Sequence, residues 1–123
     1  GVSPDASSTY FLPRLVGTRV AMEMILTNRR VSSHEALTLG LVNRVVADEQ
    51  LEEEVMMLAK KLAAGPTLAY VQARELIRSA LPADPFGQMV AEGEAIMAAG
   101  GTQDFYEGIS AFIEQRPPLF TGT

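Results

Sequence analysis

The sequence predicts a mainly α-helical chain, and three observations carry that prediction. Apolar residues recur at three- and four-residue spacing in segment after segment, the period of a helix with one buried face. Those segments open on Ser, Thr or Asp and close on Gly, Asn or Pro. Only one run, residues 41–46, is rich enough in β-branched side chains to read as a short strand.

Taken in order, Ser7 or Ser8 is expected to cap a first helix that runs to Val16. Pro13 falls in its early part, and Gly17 ends it. Thr18 caps a second helix, with Val20, Ala21, Met24 and Ile25 on one face and Asn28 as its stop. Arg29 to Val31 is a brief extended link. Ser32-Ser33-His34-Glu35 has the spacing of a capping box, and Gly40 supplies the left-handed stop of that third helix. Leu41 to Val46 is the candidate strand. Asp48 caps the fourth helix, striped by Leu51, Val55, Leu58 and Leu62. Its acidic start, Glu52 to Glu54, and basic end, Lys60 and Lys61, match the helix dipole. Pro66 opens the fifth helix, with the thin face Ala69, Ala73, Ile77 and Ala80. Pro82 and Pro85 bracket the next turn. Phe86, Met89, Val90, Gly93 and Met97 stripe the sixth helix, and Gly100-Gly101 ends it. Thr102 caps the seventh, which carries Phe105, Ile109, Phe112 and Ile113, and Pro117-Pro118 terminates it. The tail, Leu119 to Thr123, lies along a surface.

A chain of 123 residues favours one domain with a modest core, and a split near Gly65-Pro66 or Leu81–Pro85 is the available subdivision. With 47% hydrophobic and 20% charged residues the composition is that of a globular protein. The net charge of −5 gives no general attraction to nucleic acid or anionic membrane, leaving Arg29 and Arg30 as a local basic pair. The absence of cysteine excludes thiolate chemistry and disulfides, and a single histidine cannot build a multi-histidine metal site. No run is long and apolar enough to span a bilayer and no signal peptide is visible, so a cytoplasmic setting is expected. The chain begins with Gly, which reads as processing, trimming or a piece of something longer.

Asp5 is the sharpest candidate for chemistry. A carboxylate on a loop beside a helix start can serve as base, acid or nucleophile. A Pro-Asp pair is also ordinary turn chemistry, in which Asp5 only shapes the chain. His34 lies in the first turn of a capped helix and should face water. Ser7 and Ser8 lack the surroundings of a nucleophile elbow and read as caps. The six Met residues sit mostly on helix stripes, as core packing requires. Gly100-Gly101 lacks the Lys-Ser/Thr of a phosphate loop.

The order of these pieces is more specific than any one of them. GVSPDASSTYFLPRLVG, then AMEMILTNRRVSSHEALTLGLVNRVV, then EGISAFIEQRPPLFTG, resembles the crotonase (enoyl-CoA hydratase/isomerase) superfamily from Gly1 to Gly122. The LTNRR…EAL…GLVNRVV block is the most diagnostic portion. The resemblance implies the C-terminal helical part of a ββα-spiral α/β fold. Residues 1–65 would end the spiral core, and residues 66–123 would form the helical region that mediates trimerisation and covers CoA. It also implies that the oxyanion-hole loops precede Gly1.

For the site, the resemblance implies that Asp5 faces the acyl group. Isomerase-like members carry aspartate there and use it to move a proton along the acyl chain; related aryl-CoA dehalogenases use it to attack the ring. Hydratases instead place a catalytic glutamate upstream. Asp5 therefore points to isomerisation of an unsaturated or epoxidised acyl-CoA, with Pro4, Ala6, Leu12 and Leu15 as pocket wall and Arg116 as a CoA contact. No metal or redox cofactor is implied, because the CoA thioester is itself the electron sink. The implied partners are the acyl-CoA substrate and further copies of the chain, as a trimer or dimer of trimers, within fatty acid metabolism; no nucleic acid or membrane partner is implied. The alternatives are a hydratase with its glutamates upstream and a non-catalytic helical oligomerisation module. Two positions depart from the family pattern. Ala6-Ser7-Ser8 stands where many members have Gly-Gly or Gly-Ser, and Gln115-Arg116 stands where many have Lys-Arg.

Overall fold

The computed structural model describes residues 1–81 and 84–123. Seven α-helices are found among the described residues: α1 (Ser8–Val16), α2 (Thr18–Thr27), α3 (Ser33–Thr38), α4 (Leu51–Ala63), α5 (Thr67–Ser79), α6 (Pro85–Ala99) and α7 (Gln103–Glu114), with a short 3₁₀ turn, Asp48–Gln50, leading into α4. Two compact units hold them, Gly1–Leu51 and Glu52–Thr123, so the break expected after Gly65 falls inside the second unit. Pro82 lies outside the described residues.

In the first unit α1 packs on α2, and Ala21 is the buried residue of α2 at 1% exposure. The small side chain lets the two helices approach. The turn before α1 differs from the expected serine cap. Ser7 holds the cap position in a left-handed conformation, with φ 60°, and its side chain makes no capping bond. Instead the Ser8 N–H and hydroxyl both donate to the Asp5 carbonyl, at 2.9 and 2.6 Å. Because α1 starts at Ser8, Pro13 lies beyond its first turn and removes a donor from the interior ladder. Thr18 is likewise a helical residue rather than a cap, since Gly17 occupies the cap position of α2.

The third helix follows its sequence signals closely. The Ser32 hydroxyl accepts from the Glu35 N–H at 3.2 Å. At the other end the Leu41 N–H reaches back to the Ala36 carbonyl at 2.8 Å and the Gly40 N–H to the Leu37 carbonyl at 3.1 Å. This is a Schellman stop, and Gly40 supplies the φ of 74° that it requires. Residues 41–46 form no strand; a strand exists only by exchanging backbone hydrogen bonds with a partner, and no ladder occurs among the described residues. Asp48 enters the 3₁₀ turn instead of capping α4, and Ala47 holds the cap position of that turn.

In the second unit α5 packs on α6. Asp84 caps α6 by accepting from the Phe86 and Gly87 N–H groups at 2.9 and 3.0 Å, with Pro85 opening the helix. Thr102 caps α7 as expected, accepting from the Phe105 N–H at 3.1 Å. The apolar stripes, by contrast, face outward. Leu51, Val55, Leu58 and Leu62 of α4 remain 40–57% exposed, and Phe112 and Met97 reach 85% and 81%. Half-buried positions on α6 are Gln88, Ala91, Ala95 and Ala99. Small side chains set that close approach, while the bulky ones stay on the open faces. Among the described residues only Ala21 and Ala111 are buried apolar groups, so the modest core expected from chain length is not formed.

Candidate functional site

The first unit holds an open cleft of about 620 Å³, lined by Gly1 to Asp5, by Leu12 of α1, and by Met24, Ile25, Asn28 and Arg29 at the end of α2. Two backbone devices build it. Asn28 turns α2 off in a left-handed conformation, with φ 49° and ψ 35°, which brings Arg29 to the cleft wall. On the opposite arm, Ala6 and Ser7 both have positive φ, at 49° and 60°, and the Ser8 N–H closes the turn on the Asp5 carbonyl. Two successive left-handed residues are the signature of a type I′ turn, whose usual occupants are Gly and Asn.

This turn leads from Asp5 into α1, and Asp5 lines the cleft together with Pro4 and Leu12. Asp5 is exposed. Leu12, Met24 and Ile25 supply apolar wall, and Ser3, Asn28 and Arg29 supply polar wall. Ala6 and Leu15, both expected in the pocket, do not line it: Ala6 belongs to the left-handed turn, and Leu15 is 57% exposed. The structure thus brings Asp5, Pro4 and Leu12 together and leaves Ala6 and Leu15 aside.

Arg29 was legible in the sequence only as half of a basic pair. Its guanidinium is instead enclosed by carboxylates: Nη2 lies 2.8 Å from Glu35 Oε1 and Nε lies 2.9 Å from Glu23 Oε1. The Nε–H is poorly aligned for a hydrogen bond, so the Glu23 contact acts mainly through charge. The hydrogen bond from Arg29 is the main cause that lowers the Glu35 carboxyl below its ordinary value, and the Ser32 N–H adds a smaller contribution. The same pairing raises Arg29. Arg29 therefore ties the end of α2 to the start of α3 and fixes one wall of the cleft. The sequence signal was present, since Glu23 and Glu35 lie six residues on either side of Arg29, but helix periodicity does not reveal pairing across a link.

Arg116 is committed elsewhere. Nη1 and Nη2 donate to the two Glu107 carboxylate oxygens at 2.6 and 2.9 Å, and Nε donates to Glu114 at 2.6 Å. Its guanidinium is thus paired with two carboxylates rather than standing as a free cation. His34 is exposed, as its place in the capping box predicts. No group of three or more His, Asp or Glu residues among the described residues is arranged to hold a metal ion, and no helix among them is long and apolar enough to cross a membrane.

A family model described as enoyl-CoA hydratase/isomerase matches residues 1–123. A Rhodobacter capsulatus protein named "Probable enoyl-CoA hydratase" is 36% identical over 99% of this chain and 48% of its own length. The 1,2-epoxyphenylacetyl-CoA isomerase of Escherichia coli K12 is 35% identical over 99% of this chain and 47% of its own length. The chain therefore spans about half the length of the curated relatives it matches. The crystal structure of enoyl-CoA hydratase subunit I from Geobacillus kaustophilus superposes with a TM-score of 0.95 at 39% identity, over 100% of this chain and 48% of that one.

Proposed function

We propose, from the premise that this chain belongs to the enoyl-CoA hydratase/isomerase family, that it is the part of an acyl-CoA-processing enzyme that presents Asp5 to the acyl group. The observation that supports the reading is that Asp5 lines an open cleft together with Pro4 and Leu12, with Met24 and Ile25 as further apolar wall. Asp5 is the one acid among the lining residues, which also include Ser3, Asn28 and Arg29, and a positioned carboxylate is what a proton shuttle needs.

In this reading the thioester oxygen gains charge as the Asp5 carboxylate removes a proton from the acyl chain. Backbone N–H donors, which the family resemblance puts in loops preceding Gly1, hold the resulting enolate. The protonated Asp5 then returns the proton at a different carbon, so the net change is isomerisation with atoms and charge conserved. The thioester accepts the electron pair, and no metal or redox cofactor takes part. An unsaturated acyl-CoA suits this step as written. For an epoxidised one, the class in the name of the Escherichia coli relative, removal of the proton is accompanied by cleavage of a ring C–O bond, and the oxygen that takes the electron pair receives the proton. The reading includes a cytoplasmic enzyme of fatty acid metabolism that assembles as a trimer or dimer of trimers. The bulky apolar side chains left open on α4, α6 and α7 support assembly, since monomers seldom expose so much.

A hydratase whose glutamates lie upstream is the second reading, favoured by the names of the Rhodobacter and Geobacillus proteins. The two separate in one experiment. The full-length enzyme and its Asp5→Asn variant are assayed for double-bond isomerisation and for water addition to 2-enoyl-CoA. Loss of isomerisation in the variant supports the first reading. Water addition that survives intact in the variant, with no isomerisation in either protein, replaces it with the second.

A further inference from the structure

Asp104 is the one charged side chain found buried among the described residues, at 6% exposure, and the proposed chemistry makes no use of it. It faces the closing segment of the chain. Oδ1 accepts from the Thr121 N–H at 2.7 Å and Oδ2 accepts from the Gly122 N–H at 2.9 Å. The Asp104 N–H donates in return to the Thr123 carbonyl at 2.9 Å. One turn further along α7, Glu107 accepts from the Leu119 N–H at 2.7 Å.

Segment 119–123 is therefore held mainly through its backbone, with longer contacts of 3.4 Å from the Thr121 hydroxyl to Asp104 Oδ1 and from the Thr123 hydroxyl to Gln103 Oε1. Leu119 is 78% exposed and contributes little packing. Phe120 is the one apolar anchor: it lies over Gly108 of α7 and forms part of the wall of a groove of about 370 Å³. Leu68, Phe105, Ile109 and Phe112 make much of the remaining wall. Gly122 has φ 80°, and a β-carbon there would touch Thr67 at the start of α5, so the segment passes closely by that helix end.

We propose that residues 119–123 form a latched strap, that Asp104 is the latch, and that releasing it withdraws Phe120 and widens the apolar groove of the second unit. The device follows from the balance of forces. An apolar strap would be held by many small contacts, whereas this one depends on charge-assisted bonds to a single buried carboxylate, with Glu107 as a second hold. Loss of that carboxylate removes both backbone bonds, and the longer one from the Thr121 hydroxyl, at once.

The test is amide hydrogen exchange on the full chain, read alongside the fluorescence of the apolar probe 1-anilinonaphthalene-8-sulfonate. In Asp104→Ala, exchange at Thr121 and Gly122 should rise about tenfold or more while the α5 and α6 amides stay protected, and probe fluorescence should rise. Phe120→Ala should raise probe fluorescence with the Thr121 and Gly122 amides still protected. If Asp104→Ala also melts α7, Thr121→Pro removes one donor from the strap and leaves the helix untouched; faster exchange at Gly122 with α7 protected supports the latch. Unchanged protection at Gly122 in Thr121→Pro, or at both amides in a folded Asp104→Ala, overturns the proposal.

Discussion

Arg116 grips Glu107 with both terminal nitrogens, at 2.6 and 2.9 Å, while its Nε holds Glu114 at 2.6 Å. The planar guanidinium fits a carboxylate edge to edge, which a lysine cannot do. The same Glu107 accepts from Leu119, so one carboxylate joins the turn after α7 to the strap. The Arg116 hydrogen bonds come first, and the Leu119 N–H second, in holding the Glu107 carboxyl down from 4.5 to about 2. Its folded value is thus depressed. The stabilisation it confers is fully present above its unfolded value near 4.5, and is lost as the pH falls through the folded value of about 2. Thermal melts of the wild type and Glu107→Gln should differ at pH 6, with the variant less stable. The gap should close progressively between about pH 4.5 and 2. A gap that stays constant across that window would show that the carboxylate charge contributes nothing there.

Asp5 makes the prediction that bears most directly on activity. If it carries the proton, Asp5→Asn in the full-length enzyme should lower kcat for isomerisation by roughly 10²–10⁴-fold, the usual contribution of a positioned general acid or base. KM should change little, because Asn keeps the size and polarity of the side chain. A fall in kcat/KM that comes entirely from KM would assign Asp5 to binding instead.

How much of this was legible beforehand varied by element. Helix ends were readable where one residue does the whole job locally: Ser32 and Thr102 as side-chain caps, Gly40 and Asn28 as left-handed stops. They were misread where a competing local bond won. Ser8 donates to the Asp5 carbonyl, and that turn displaces serine capping at α1. Asp84 went unnoticed although Asp-Pro is a strong helix-start signal. The stripes on α4 and α6 predicted helices correctly but not burial, because periodicity marks an apolar face without saying what covers it. At the candidate site, Asp5, Pro4 and Leu12 are close in sequence and meet in one cleft. Arg29 and Asp104 were missed because their partners lie across a link or at the far end of a helix. In those cases the pairing is set by chain path rather than by spacing.

Gly40 offers a clean measure of backbone cost. It has φ 74°, and a β-carbon there would meet nothing within 4 Å, so steric contact with neighbours plays no part. Gly40→Ala should cost about 1–2 kcal/mol, the penalty for placing an L-residue in the left-handed region. Gly40→Asn should cost less, since Asn tolerates that conformation, as Asn28 already shows at the end of α2. Urea denaturation with unchanged m-values would establish both. Equal losses for the two variants would point to a disturbance other than φ.

The most informative substitution lies beside Asp5. Ala6 and Ser7 occupy consecutive left-handed positions, with φ 49° and 60°, in the turn that sets the Asp5 carbonyl against Ser8. Neither residue is suited to that conformation, and strain of this kind gathers at working sites. Gly relieves the strain but also has more freedom to lose on folding. The first effect, about 1–2 kcal/mol, outweighs the second, about 0.5–1 kcal/mol. Ala6→Gly should therefore raise stability by about 0.5–1 kcal/mol, seen as a higher urea midpoint. If the strained turn aims the Asp5 carboxylate, the same variant should lower kcat for isomerisation in the full-length enzyme while stability rises. A variant that is both more stable and equally active would separate the strain from the chemistry and leave the turn a purely structural feature.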